Sequence, residues 1–154
     1  MKKNIILILM FVFISLFATA QSQEVITGDI TSNKTLTSDK TYILKGGVRV
    51  QSPAVLTIEA GTIIYGENVS QGSLIIKPGA KIIAEGTPEK PIIFTSEFAK
   101  AGSSKTPTYG DWGGIIILGK APINVTGGTA QVEGTGNTKD EYGGTNPDDN
   151  SGIL

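Results

Sequence analysis

The chain has no cysteine and no histidine among its 154 residues, and only one tryptophan. Without cysteine there is no disulfide framework, thiol nucleophile, iron–sulfur cluster or thiolate zinc site. Without histidine the usual general base, the serine triad and the imidazole metal site are excluded. Thirteen Lys+Arg against fourteen Asp+Glu provide no basic face, so nucleic acid is not an expected partner. Apolar 3.6-residue periodicity is missing from every ten-residue window, which removes the helical classes. What is abundant is glycine, with 20 residues.

Residues 1–20 read as a targeting segment. Lys2 and Lys3 precede a 13-residue apolar run, 5–17, interrupted only by Ser15, and Ala18-Thr19-Ala20 offers a cleavage site. A membrane span needs about 20 apolar residues, so no span is expected once this segment is removed. The mature chain, 21–154, is therefore expected to be secreted, extracellular or on the outer cell surface. All the glycines stay with it, whereas both methionines and three of the five phenylalanines leave. Short runs of Ile, Leu and Val must then build the core.

Residues 21–40 are polar and rich in Ser and Thr, which suits a leader or N-terminal cap. From Thr41 onward short β-rich runs recur, among them Tyr42-Ile43-Leu44, Val48-Arg49-Val50, Leu56-Thr57-Ile58, Leu74-Ile75-Ile76, Ile92-Ile93-Phe94 and the stretch 115–118. Gly46-Gly47, Gly61, Pro78-Gly79 and Gly86-Thr87-Pro88 separate them, so the chain reads as all-β.

Leu56, Leu74 and Ile92 are 18 residues apart, as are Ile58, Ile76 and Phe94. Leu-Thr-Ile-Glu-Ala-Gly (56–61) and Leu-Ile-Ile-Lys-Pro-Gly (74–79) read as one motif written twice. At roughly 3.3 Å per residue, 18 residues trace about 60 Å, one triangular turn rising a strand spacing. The pattern predicts a single-stranded parallel β-helix over 41–154 with about 18–23 residues per coil. Equivalent strands would stack, with Glu59 above Lys77. The rival, an immunoglobulin-like sandwich, requires no identity at 18. Ile75 and Ile93 should point outward yet are apolar, which implies a cover over that face. The segment 97–110 reads as a loop inserted into a coil.

Asp111-Trp112-Gly113-Gly114, the run 115–124, Glu133-Gly134, Tyr142-Gly143-Gly144 and Asp149-Asn150-Ser151-Gly152 together resemble the secreted right-handed β-helix surface proteins common in Bacteroidota. Residues 56–62 and 84–96 extend the resemblance over most of 41–154. It implies a right-handed solenoid and, in many members, a C-terminal type IX sorting domain. Ser151-Gly152-Ile153-Leu154 reads as the start of a further strand where a polar cap would be expected, so a fragment of a longer protein is expected.

Candidate chemistry is sparse. Trp112, beside Asp111, either stacks on a sugar ring or packs over a corner, with Tyr142 as a further aromatic candidate. Asp140, Glu141, Asp148 and Asp149 form an acidic stretch, read as calcium ligands or as a solvated face, although no Asp-x-Asp-x-Asp-Gly loop is present. No Asp pair recurs at an 18-residue offset, and Arg49 is the sole arginine. No catalytic residue is assigned. The reading is a non-catalytic secreted or cell-surface scaffold for adhesion or glycan binding, with polysaccharide or surface glycans as partners. The alternative is a polysaccharide lyase or glycoside hydrolase with its active site in further C-terminal coils.

Overall fold

A computed structural model describes residues 21–135 and 140–154. The expected signal peptide, 1–20, lies outside them. Twelve strands are present among the described residues: β1 (Ser22–Ile30), β2 (Lys34–Leu36), β3 (Lys40–Val50), β4 (Val55–Ile58), β5 (Ile63–Gly66), β6 (Ser73–Ile76), β7 (Lys81–Ile83), β8 (Ile93–Ser96), β9 (Gly114–Ile117), β10 (Thr129–Gln131), β11 (Glu141–Gly143) and β12 (Gly152–Ile153). One 3-10 turn, Glu97–Ala99, follows β8. No described helix is long and apolar enough to cross a membrane.

Among the described residues every pairing is parallel except that of β10 with β11. The pairings form three ladders. The first runs Val25, Ile43, Tyr65, Thr95 through β1, β3, β5 and β8. The second runs Ile30, Val50, Ile76, Ile117 through β1, β3, β6 and β9. The third links β2, β4, β7 and β12, with Lys34, Leu56, Ile82 and Gly152 in register. The chain visits the three in rotation. This is the all-β, parallel-strand architecture that the sequence pattern predicts.

Within the strands, β-branched and aliphatic residues alternate inward with polar ones outward, as in Val48-Arg49-Val50, where both valines are fully buried. Tyr42, Leu44, Ile64, Leu56, Ile58, Leu74, Ile76 and Ile82 meet in one continuous core. The segment expected to be a leader or cap carries β1 and β2, and places Ile26, Ile30 and Leu36 in that core.

The expected repeat register is corrected. Leu56 pairs with Ile82 in the third ladder, whereas Leu74 pairs with Val48 and Ile115 in the second. Ile92 precedes β8 and belongs to no ladder. The motif written twice is a strand followed by a corner, used once between β4 and β5 and again between β6 and β7. Thr62 N donates to Glu59 O at 3.2 Å and Ala80 N to Lys77 O at 2.9 Å. Gly61 and Gly79 take φ of +90° and +85° at the third position of these turns, the type II geometry that favours Gly there and Pro, as in Pro78, just before. Glu59 and Lys77 accordingly do not stack. Glu59 accepts from Ser38 N at 3.0 Å, and Lys77 meets Asp140.

Coil length also departs from expectation, because it grows along the chain. Ser22 pairs with Lys40 and Thr41 with Ile63, close to the expected step, but Ile63 next pairs with Ile93. The steps from Ser73 to Gly114 and from Ile82 to Gly152 are longer still. The extra chain leaves at corners. One excursion, 97–113, contains the expected inserted loop, exposed throughout 101–110. The other, 118–151, carries the β10–β11 ribbon.

Candidate functional site

The excursion 97–113 begins where Ser96 ends β8. Ser96 Oγ accepts from Phe98 N at 3.1 Å and so caps the 3-10 turn. Lys100 Nζ lies 5.0 Å from the Tyr65 ring centroid, and Lys105 Nζ 4.7 Å from that of Phe98, which folds the excursion back on the first ladder. Its return is anchored on the turn 67–72. Asn68 Nδ2 donates to Asp111 O at 3.0 Å, and Gly113 N donates to Gly72 O at 3.0 Å.

Asp111 is a buried positioning group. Its carboxylate accepts from Thr108 N at 2.6 Å and from Thr108 Oγ1 at 3.0 Å. The Thr108 amide, together with the Thr108 and Ser96 hydroxyls and the charge of Lys105, outweighs desolvation and holds the carboxyl below its usual range. Beside it Trp112 is half-buried and packs against the core. Gly66 makes room for it: a Cβ there would stand 2.5 Å from Trp112 Cβ and Cε3. The ring therefore lies over a corner, and only part of it faces water.

These contacts frame a cleft of about 370 Å³ lined by Thr95, Ser96, Pro107, Thr108, Tyr109 and Trp112. Tyr109, which sequence reasoning passes over, is wholly exposed. Its signal is available only as an aromatic in a Pro- and Gly-bounded loop. A larger depression of about 490 Å³ runs along β1 and β2, but strand edge and the Glu24–Lys34 ion pair line it, without an aromatic side chain. An apolar cavity of about 360 Å³ opens beside Ile92, Phe94, Ile115 and Leu154 at the last coil. The Tyr109–Trp112 cleft sets a wholly exposed ring beside hydroxyl groups, the chemistry a sugar surface requires.

The other expected residues lie elsewhere. Tyr142 sits in β11 opposite Ala130 and does not line the cleft. Asp140 is fully buried and pairs with Arg49 (Nη2–Oδ2 2.8 Å) and Lys77 (Nζ–Oδ1 3.1 Å). Burial pushes its carboxyl up, but hydrogen bonds from Arg49, Thr135 and Lys77 outweigh this and hold it at about 2. Asp149 Oδ2 accepts from Lys120 N at 2.7 Å, and Asp148 N donates to Asn146 Oδ1 at 3.2 Å. Glu141 is exposed at the start of β11. Among the described residues no three carboxylates converge as a metal site.

Asp140 also explains an apolar residue on the outer face. Arg49 pairs with Ile75 in the second ladder, and Lys77 lies two positions further on the same side. Asp140 bridges both, so the 118–151 excursion lies across Ile75, which has no exposure. The cover expected over Ile75 is therefore present, whereas Ile93 remains 41% exposed. Arg, Lys and Asp converge here as a largely buried ion cluster. The hydrogen bond to Asp140 raises the Arg49 guanidinium further above its already high range, and the carboxylate is out of reach of solvent.

Residues 28–154 match the family model of the pectate-lyase-like beta helix domain. That is most of the chain, and the chain belongs to this family. No curated protein and no solved structure matches it.

Proposed function

We propose that the protein is a secreted or cell-surface, single-stranded parallel β-helix, right-handed in its coil, that binds polysaccharide without cleaving it. The observation that carries this is the cleft at the β8–β9 corner, where an exposed Tyr109 and a half-buried Trp112 face a wall of Thr95, Ser96 and Thr108. Sugars present apolar C–H faces and a rim of hydroxyls. An aromatic ring beside hydroxyl groups matches both. The family's description as pectate-lyase-like supports a polysaccharide as the ligand class. The buried carboxylates of Asp111 and Asp140 are both committed to holding loops, which supports a binding role over acid–base catalysis. The signal-peptide pattern of 1–20 supports export, and the resemblance to Bacteroidota surface proteins supports the type IX route.

The test is a glycan array on the mature chain, followed by Tyr109→Ala. Binding to at least one polysaccharide, weakened by the substitution while the fold is retained, is the expected result. Release of reducing or unsaturated sugars by the same protein would replace this reading with the enzymatic one. Silence across the array and on whole cells would end it.

A further inference from the structure

We infer that the Tyr109–Trp112 cleft selects neutral sugars and discriminates against uronates, an inference that rests on the glycan-binding reading above. It comes from the charges around the cleft. All six lining residues are uncharged. The ionised group bonded to the wall is the Asp111 carboxylate, held by Thr108 N and Oγ1, and it is an anion. The two lysines of the excursion are not among the lining residues, although the charge of Lys105 does reach the Asp111 carboxylate. Lys105 lies on the Phe98 ring and Lys100 on the Tyr65 ring, and both line the adjacent depression formed by 97–105.

A uronate entering the cleft would bring a carboxylate towards Asp111 with no cation among the lining residues to meet it. Moving a carboxylate out of water without a partner is costly, and a like charge adds to that cost. A neutral hexose meets no such penalty. Its C–H face can lie on the Tyr109 ring, and its hydroxyls can reach Thr95 Oγ1 and the Tyr109 hydroxyl. Neither of these groups has a hydrogen-bond partner among the described residues. Selectivity would thus come from what is missing at the rim, a cation, as much as from what is present.

The experiment is titration calorimetry of the mature chain with two probe sets at matched length: neutral gluco-, manno- and galacto-oligosaccharides, and oligogalacturonate. Binding of at least one neutral probe is expected, with oligogalacturonate at least about ten-fold weaker. The neutral affinity should change by less than about two-fold between low and high NaCl, because no charge pair is formed. Tyr109→Ala should weaken it about five- to ten-fold, and Tyr109→Phe should keep most of it. Oligogalacturonate binding as tight as, or tighter than, every neutral probe would overturn the selectivity while leaving glycan binding standing. Failure of both probe sets would remove the glycan site and the selectivity together. A circular dichroism spectrum of Tyr109→Ala identical to that of the parent separates loss of contact from loss of fold.

Discussion

Arg49 and Asp140, 91 residues apart in the chain, form a two-point ion pair in which Arg49 Nε stands 2.9 Å from Oδ1 and Nη2 2.8 Å from Oδ2. Arg49 belongs to the second ladder, and Asp140 to the excursion that crosses it. With Lys77 Nζ sharing Oδ1 with Arg49 Nε, this contact fastens the excursion to the sheet.

Asp140→Ala should therefore destabilise the protein by about 3–5 kcal/mol, because two largely buried cations lose their counter-charge. Urea denaturation measures the loss. Limited proteolysis should show earlier cleavage within 118–151 than in the parent. A stability change under about 0.5 kcal/mol, the range of an ordinary surface substitution, would mean that the pair does not anchor the excursion.

The same carboxylate sets an acid limit. Its folded value of about 2 lies below the ordinary 3.8. A depressed carboxylate contributes stability that is complete above the unfolded value and lost as pH falls toward the folded one. The urea midpoint should accordingly drop between about pH 4 and pH 2. Asp140→Asn should flatten that drop, so an unchanged slope in the variant would assign the acid sensitivity to other groups.

Ile75, third in β6, and Ile93, first in β8, are both apolar where the sequence pattern points outward, and their surroundings are opposite. Ile75→Ala should behave as a core truncation, costing about 2–4 kcal/mol. Ile93→Ala, at a position 41% exposed, should cost well under about 1 kcal/mol. Thermal melts of the two variants make the comparison, and equal losses would show that Ile75 is not covered.

Gly66→Ala forces a methyl group into the space that Trp112 occupies, with a 2.5 Å approach to two of its atoms. The expected cost is about 1–3 kcal/mol. Since Trp112 is the only tryptophan, its emission should shift to longer wavelength as the ring is lifted toward water. An unmoved spectrum would show that the ring does not rest on Gly66.

Periodicity reveals the strand class and the parallel coil, because Val48, Val50, Leu56 and Ile58 alternate with polar residues and glycines mark the turns. It misassigns the register, because two corners of one coil need the same type II turn. Leu56 to Gly61 and Leu74 to Gly79 answer that need in nearly the same letters. The pairing of Leu56 with Ile82 has no such textual echo. The apolar residue at the outward position of Ile75 does signal a cover. Asp140, which fastens that cover, stands far along the chain in an acidic, glycine-rich stretch that equally suits calcium. Trp112 is conspicuous as a single residue. Tyr109 is not, since its role depends on a cleft that exists only after the excursion folds back onto Thr95 and Ser96.

The steps along the ladders widen from the short one between Ser22 and Lys40 to the long one between Ile82 and Gly152, and this bears on how freely such a protein can be elaborated. Closing a flexible loop costs only about 0.6 kcal/mol for each doubling of its length, so roughly fourfold growth costs little more than about 1 kcal/mol. Each added rung buries several aliphatic side chains at about 1.5–3 kcal/mol apiece. The stacked sheets thus act as a chassis on which corner loops can be exchanged, lengthened or decorated at almost no thermodynamic penalty, and recognition can diversify without renegotiating the core.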